Sequence, residues 1–133
     1  MEFGLDHIHF RCEDLDTAID FYTKMFGGYI SERSGSKQMP VIFVSVGGAR
    51  LAFSPKSQES GSVASSNRPD KGIYQLGLCV SDVDKAVEEL RIKGAQIEGE
   101  PRQLGPELKA ALVKAPDGVQ IELVEHTIPP RKP

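Results

Sequence analysis

A hidden duplication constrains this chain more than any other feature of its sequence. It limits the fold to one that pairs two copies of a single unit. Residues 73–94 slide onto residues 5–26 at an offset of 68. Asp14 then meets Asp82, Asp16 meets Asp84 and Ala18 meets Ala86. Around these identities lie chemically similar pairs: Leu5/Ile73, Ile8/Leu76, Phe10/Leu78, Leu15/Val83, Ile19/Val87 and Asp20/Glu88. Toward the end of each copy, GARLAF (48–53) overlays GVQIEL (118–123) at an offset of 70. His7 then stands opposite Gln75, and Ala52 opposite Glu122.

Each copy reads in the same order. Residues 5–12, LDHIHFRC, alternate with period two. Ile8 and Phe10 form an apolar face, and His7, His9 and Arg11 an unusually polar one. Asp14 or Asp16 caps the helix that follows. Ala18, Ile19, Tyr22, Met25 and Phe26 recur there at helical spacing, and Gly27-Gly28 stop it. Three β-like stretches come next, at 29–34, 41–46 and 49–54. The second copy offers a strand at 73–80 and a helix in VDKAVEELRIKG behind Asp82 and Asp84, closed by Gly94. Its strands are 96–100, 108–114 and 119–125. Residues 55–72, dominated by Ser, Gly, Pro and Asn, read as a linker, with a lid over a site as the alternative. The tail, 127–133, is expected to be extended or loose.

A strand, one helix and three strands cannot cover both faces of their sheet. Two such units can pack their helices outside and curl their sheets around a shared cavity. The expected fold is therefore α+β: two β-α-β-β-β modules, about 3–54 and 73–126, in one domain of 133 residues. They would form a curved half-barrel of mixed sheet with the helices outside. The polar face of the first strand would then point into the cavity, where a ligand sits.

Composition removes several classes. Hydrophobic residues at 39% are too many for a disordered chain. A net charge of −3 argues against a nucleic-acid partner, which calls for a basic stripe. No run approaches the roughly 20 apolar residues of a membrane helix, and the N-terminus lacks the pattern of a secretory signal. Cys12 and Cys79 are too few for a disulfide framework, and reduced thiols in a cytoplasm are the simpler reading.

With LDHIHFRCEDLDTAIDFYTKMFGG at the start and PDGVQIELVE near the end, the chain resembles the vicinal oxygen chelate superfamily. That group includes glyoxalase I, methylmalonyl-CoA epimerase, extradiol dioxygenases, and fosfomycin and bleomycin resistance proteins. The resemblance runs from about residue 3 to 126. It implies metal ligands from the first and last strands of each half, here His7, Gln75 and Glu122, with Ala52 in a fourth position that cannot bind. Gln75 departs from the histidine many members carry. A nitrogen, a carboxylate and an amide oxygen suit Zn²⁺, Mn²⁺, Fe²⁺, Co²⁺ or Ni²⁺. Such an ion acts as a Lewis acid on a substrate with two neighbouring oxygens. The other reading makes His7 a hydrogen-bonded cavity residue and pairs Glu122 with Arg11 or Arg50.

Arg11 and Arg50 are candidates for binding an anionic small molecule, Arg11 through paired hydrogen bonds. His9 is a candidate proton carrier beside Glu122, or a filler of a polar slot. The resemblance implies a small metal-dependent lyase, isomerase or epimerase, or transferase, commonly a homodimer, with the site built within one chain or across the pair. The alternative is a metal-free protein that sequesters a compound, which Ala52 and Gln75 favour.

Overall fold

The computed structural model describes residues 1–2, 5–56, 73 and 75–126. It divides into two compact units, with the boundary between residues 64 and 65. The linker expected at 55–72 falls outside the described residues from residue 57 on, as does the tail at 127–133.

The first unit runs β1 (Ile8–Cys12), α1 (Leu15–Phe26), β2 (Tyr29–Gly35), β3 (Pro40–Val46) and β4 (Ala49–Pro55). The second runs β5 (Gln75–Cys79), α2 (Val83–Ile92), β6 (Ile97–Gln103), β7 (Leu108–Lys114) and β8 (Gln120–His126). A single 3₁₀ turn, Pro116–Gly118, precedes β8. Each unit is one four-stranded mixed sheet, in the order β1-β4-β3-β2 or β5-β8-β7-β6. The outer first strand is parallel to the last, and the other neighbours are antiparallel. This is the α+β pair of strand-helix-three-strand units expected from the duplication.

The helices start as the sequence requires. Asp14 Oδ1 accepts from the Thr17 amide at 3.0 Å, and Asp82 Oδ1 accepts from the Lys85 amide at 3.0 Å. Each carboxylate satisfies an orphan donor at the positive end of its helix. Gly27, at φ 67°, supplies the left-handed residue that ends α1. α2 gains a second anchor, because Glu125 in β8 accepts from the Val83 amide at 2.8 Å.

Both first strands are shorter than the sequence alternation suggests. β1 begins at Ile8 rather than residue 5. Continued back from Ile8↔Leu51, the register sets Asp6 opposite Ala49, the first residue of β4, so Leu5 has no ladder to join, while Asp6 and His7 lie opposite β4 without pairing to it. β5 begins at Gln75, whose partner Gln120 is the first residue of β8, and Ile73 is left 82% exposed.

α1 packs on β3 and β4, and α2 on β6, β7 and β8. Under α1 the core is aromatic. Tyr22 lies 5.1 Å from Phe53 and 6.1 Å from Phe10, and Phe10 stacks on Phe53 at 5.2 Å between ring centroids. Under α2 it is aliphatic, with Val83, Val87, Val113, Ile121 and Leu123 all buried. These side chains fill the helix-facing side of each sheet, so alternation turns His7, His9 and Arg11, and likewise Gln75, Gly77 and Cys79, to the other side.

Candidate functional site

The first unit builds its polar face from β1 and β4. His9 is opposite Ala52 and Arg11 opposite Ser54, while β3 sets Phe43 beside Ala52. Each histidine has one ring nitrogen held. His7 Nδ1 lies 2.6 Å from Asp6 Oδ2, and His9 Nε2 lies 2.8 Å from Ser54 Oγ. The rings meet edge to face, with centroids 6.0 Å apart. Burial, reinforced by the charges of His7 and Arg11, holds His9 below its ordinary pKa of 6.5. The hydrogen bond from His7, aided by the charge of Arg50, holds the Asp6 carboxyl below its ordinary range.

Arg50 is heavily engaged. Its Nη1 donates to Asp6 at 3.2 Å and its Nη2 to Glu32 at 2.8 Å, and its guanidinium lies 3.8 Å over the Phe43 ring. Two carboxylates and an aromatic face absorb most of what it would offer a ligand. Arg11 is different: it is exposed and has no ion pair among the described residues. A cavity of about 420 Å³ opens beside His7, walled by Leu5, Asp6, Ile8, the Gly47-Gly48 turn, Ala49 and Arg50. That is within the size range of small-molecule sites.

The second unit presents Gln75, Gly77, Gln120 and Glu122. Gln75 Nε2 donates to Gln120 Oε1 at 2.7 Å, which leaves the Gln75 carbonyl oxygen available. Gln120 is only 6% exposed. Glu122 is half-buried and has no hydrogen bond or ion pair among the described residues. It is opposite Gly77, where an added Cβ would meet nothing within 4 Å. A half-buried carboxylate beside open space suits a cationic partner.

The strand register maps the two faces onto each other. Gly77 and Glu122 form a cross-strand pair, as do His9 and Ala52, and the positions differ by 77 − 9 = 68 and 122 − 52 = 70, the offsets of the duplication. Among the described residues, no three side chains drawn from His, Cys, Asp and Glu form a cluster able to hold a metal ion. The sequence did not single out Asp6, Glu32, Ser54 or Gln120. Two of them were within reach of pattern: Ser54 lies two after Ala52 on the same face, and Gln120 overlays Arg50 in the duplication. Asp6 and Glu32 were not, since their roles depend on how far the Arg50 side chain reaches. Among the described residues no helix is long and apolar enough to cross a membrane.

The family model of the Glyoxalase/Bleomycin resistance protein/Dioxygenase superfamily matches residues 4–123. The chain belongs to that superfamily. It is 31% identical over 127 residues to a lactoylglutathione lyase of Arabidopsis thaliana, covering 90% of this chain and 43% of that protein. The chain thus spans less than half the length of that plant relative. A lactoylglutathione lyase of Escherichia coli O157:H7 is 30% identical over 129 residues, with 90% of each chain covered. A fosfomycin resistance protein of Listeria monocytogenes shares the fold, with a TM-score of 0.72 at 19% identity, covering 96% of this chain and 97% of that one. That protein has also been crystallised with Mn(II) and a sulfate ion.

Proposed function

We propose that this superfamily member is an enzyme of the lyase, isomerase or transferase type that uses a divalent metal held by His7, Gln75 and Glu122 to act on a small anionic molecule. The observation that carries the reading is Glu122, a half-buried carboxylate without a partner among the described residues, opposite a glycine that leaves space beside it. The donor chemistry fits. His7, with Nδ1 held by Asp6, keeps Nε2 for an ion, and Gln75, with its amide nitrogen on Gln120, keeps its oxygen. Such a metal would supply Lewis acidity to an oxygen of the substrate.

The rest falls to the chain's own groups. Arg11, which has no ion pair among the described residues, binds the anionic end of the substrate and fixes its orientation. Glu122 is the carboxylate suited to take and return a proton. A thiol adduct of a 2-oxoaldehyde is the first substrate to try, since two relatives act as lactoylglutathione lyases. The working form is a homodimer, which light scattering tests directly; a monomer would contradict it.

Elemental analysis after purification without chelators tests the metal. A stoichiometric Mn, Fe, Co, Ni or Zn that disappears in a His7→Ala/Glu122→Ala double variant supports the enzyme. Metal-free protein that takes up none of these ions from solution overturns it. A second reading, a metal-free protein that sequesters its ligand, is favoured by one observation: the Gln75 side chain is already satisfied by Gln120. Ligand binding that survives the double variant unchanged supports that reading.

A further inference from the structure

The duplicated strand pairs suggest a ligand that neither copy of the sequence declares. In the second unit the slot between the first and last strands holds a donor on the last strand, Glu122, facing a glycine on the first. In the first unit the same slot is filled from the opposite side. The last strand offers Ala52, fully buried, and the first strand offers His9. Small faces large in both, with the strands exchanged.

From this exchange we infer that His9, together with His7, is a metal ligand, so that the first unit contributes a His7-Ile8-His9 chelate rather than a single imidazole. The inference rests on the metal-dependent reading above and assigns His9 to holding the ion instead of carrying protons. Three observations support it. His7, just before β1, and His9, within it, turn their rings to one side, where the His7 ring also meets Phe43, the placement that lets residues i and i+2 reach a common point. Two imidazoles bound to one tetrahedral ion at about 2.1 Å hold their ring centroids roughly 5 Å apart, and here the separation is 6.0 Å, so a small rotation of the rings would bring them to that spacing. Finally, each ring already has the outer partner that histidine ligands use to fix ring orientation. Asp6 takes His7 Nδ1 and Ser54 takes His9 Nε2. His7 Nε2 and His9 Nδ1 remain, one nitrogen from each ring. Arg50, which is paired with both Asp6 and Glu32, braces the first of these partners.

Zinc titration of the ¹⁵N-labelled full chain, followed by long-range ¹H–¹⁵N spectra of the imidazoles, reads this without any activity. The expected result is that His7 Nε2 and His9 Nδ1 both shift on binding, with zinc affinity falling at least tenfold in His9→Ala. Loss of only an outer partner, in Ser54→Ala, should cost about tenfold, the lower end for such partners. If His7 shifts while His9 keeps its free-state signals and His9→Ala binds zinc as the parent does, the chelate is wrong and the metal reading stands. If zinc shifts neither ring and does not bind, both are overturned.

Discussion

The two units share a scaffold and differ in what they display on it. Their strand order and aspartate caps are the same, and so is the pairing of first strand with last. The first unit packs aromatic rings beneath its helix and shows histidines and arginines on the other face; the second packs aliphatic side chains and shows amides and a carboxylate. The difference teaches where each constraint acts. Helix caps and buried alternation set the fold and are repeated. The face turned from the helix carries no such duty, so its residues diverge as sets. Where the last strand of the first unit has only Ala52, the neighbouring strand carries His9 beside it.

Removing equivalent core residues should break the two units unequally. Phe53 and Leu123 occupy matching positions and are each 1% exposed. Phe53→Ala should cost about 3–5 kcal/mol and Leu123→Ala about 2–5 kcal/mol, with Phe53 the larger because Phe10 and Tyr22 lose a ring partner. Denaturant melts of the two variants check this.

Copying one face into the other sharpens the comparison. Ala52→Glu alone should destabilise by about 1–3 kcal/mol, since the slot is filled by His9 and Phe43 and the carboxylate would be buried. Adding His9→Gly, which recreates the Gly77/Glu122 arrangement, should recover part of that loss. A double-mutant cycle measures the coupling, and strict additivity would contradict the exchange. In the second unit Gly77→Ala should leave stability unchanged, because its Cβ enters open space. Gly28→Ala should destabilise, because its Cβ would approach Val46 Cγ2 to 2.9 Å and the Tyr22 carbonyl to 3.0 Å.

Smaller effects lie at the caps and at His9. Asp82→Ala removes an acceptor at the start of α2 and should cost about 1 kcal/mol. His9 should titrate, in the absence of metal, with an NMR midpoint below 6.5. The unfolded chain then binds the proton more readily than the folded one. Stability should therefore decline as pH falls from 6.5 toward the folded midpoint and hold steady above that window. His9→Gln should flatten that slope, and melts between pH 5 and 8 read it.

The sequence carried most of the fold because its signals are local and doubled. Asp14 and Asp82 announce their helices by position alone, and the strand blocks recur between turns of glycine and proline. The alternation runs past the observed starts of both first strands: at β5 it extends to where the partner strand has not begun, and at β1 it extends through Asp6 and His7, which lie opposite β4 without pairing to it. The face chemistry was only half legible. His7, His9 and Arg11 could be placed on one side by counting. Whether a side chain was already engaged could not be counted: Arg50 reads as open to a ligand or to Glu122, and Asp6 and Glu32 are seen on its guanidinium only in the structure. Ser54 reads as an ordinary strand serine until its hydroxyl is found against the His9 ring.

The central claim is that Glu122 serves a cation. A competition titration of Ni²⁺ or Zn²⁺ against a chelator, on the parent chain and on Glu122→Ala, reaches it most directly. The account predicts one ion per chain and an affinity at least about tenfold weaker without the carboxylate, a loss no smaller than that of an outer partner. Equal affinity in the two proteins, or no ion taken up by the parent chain, would contradict it.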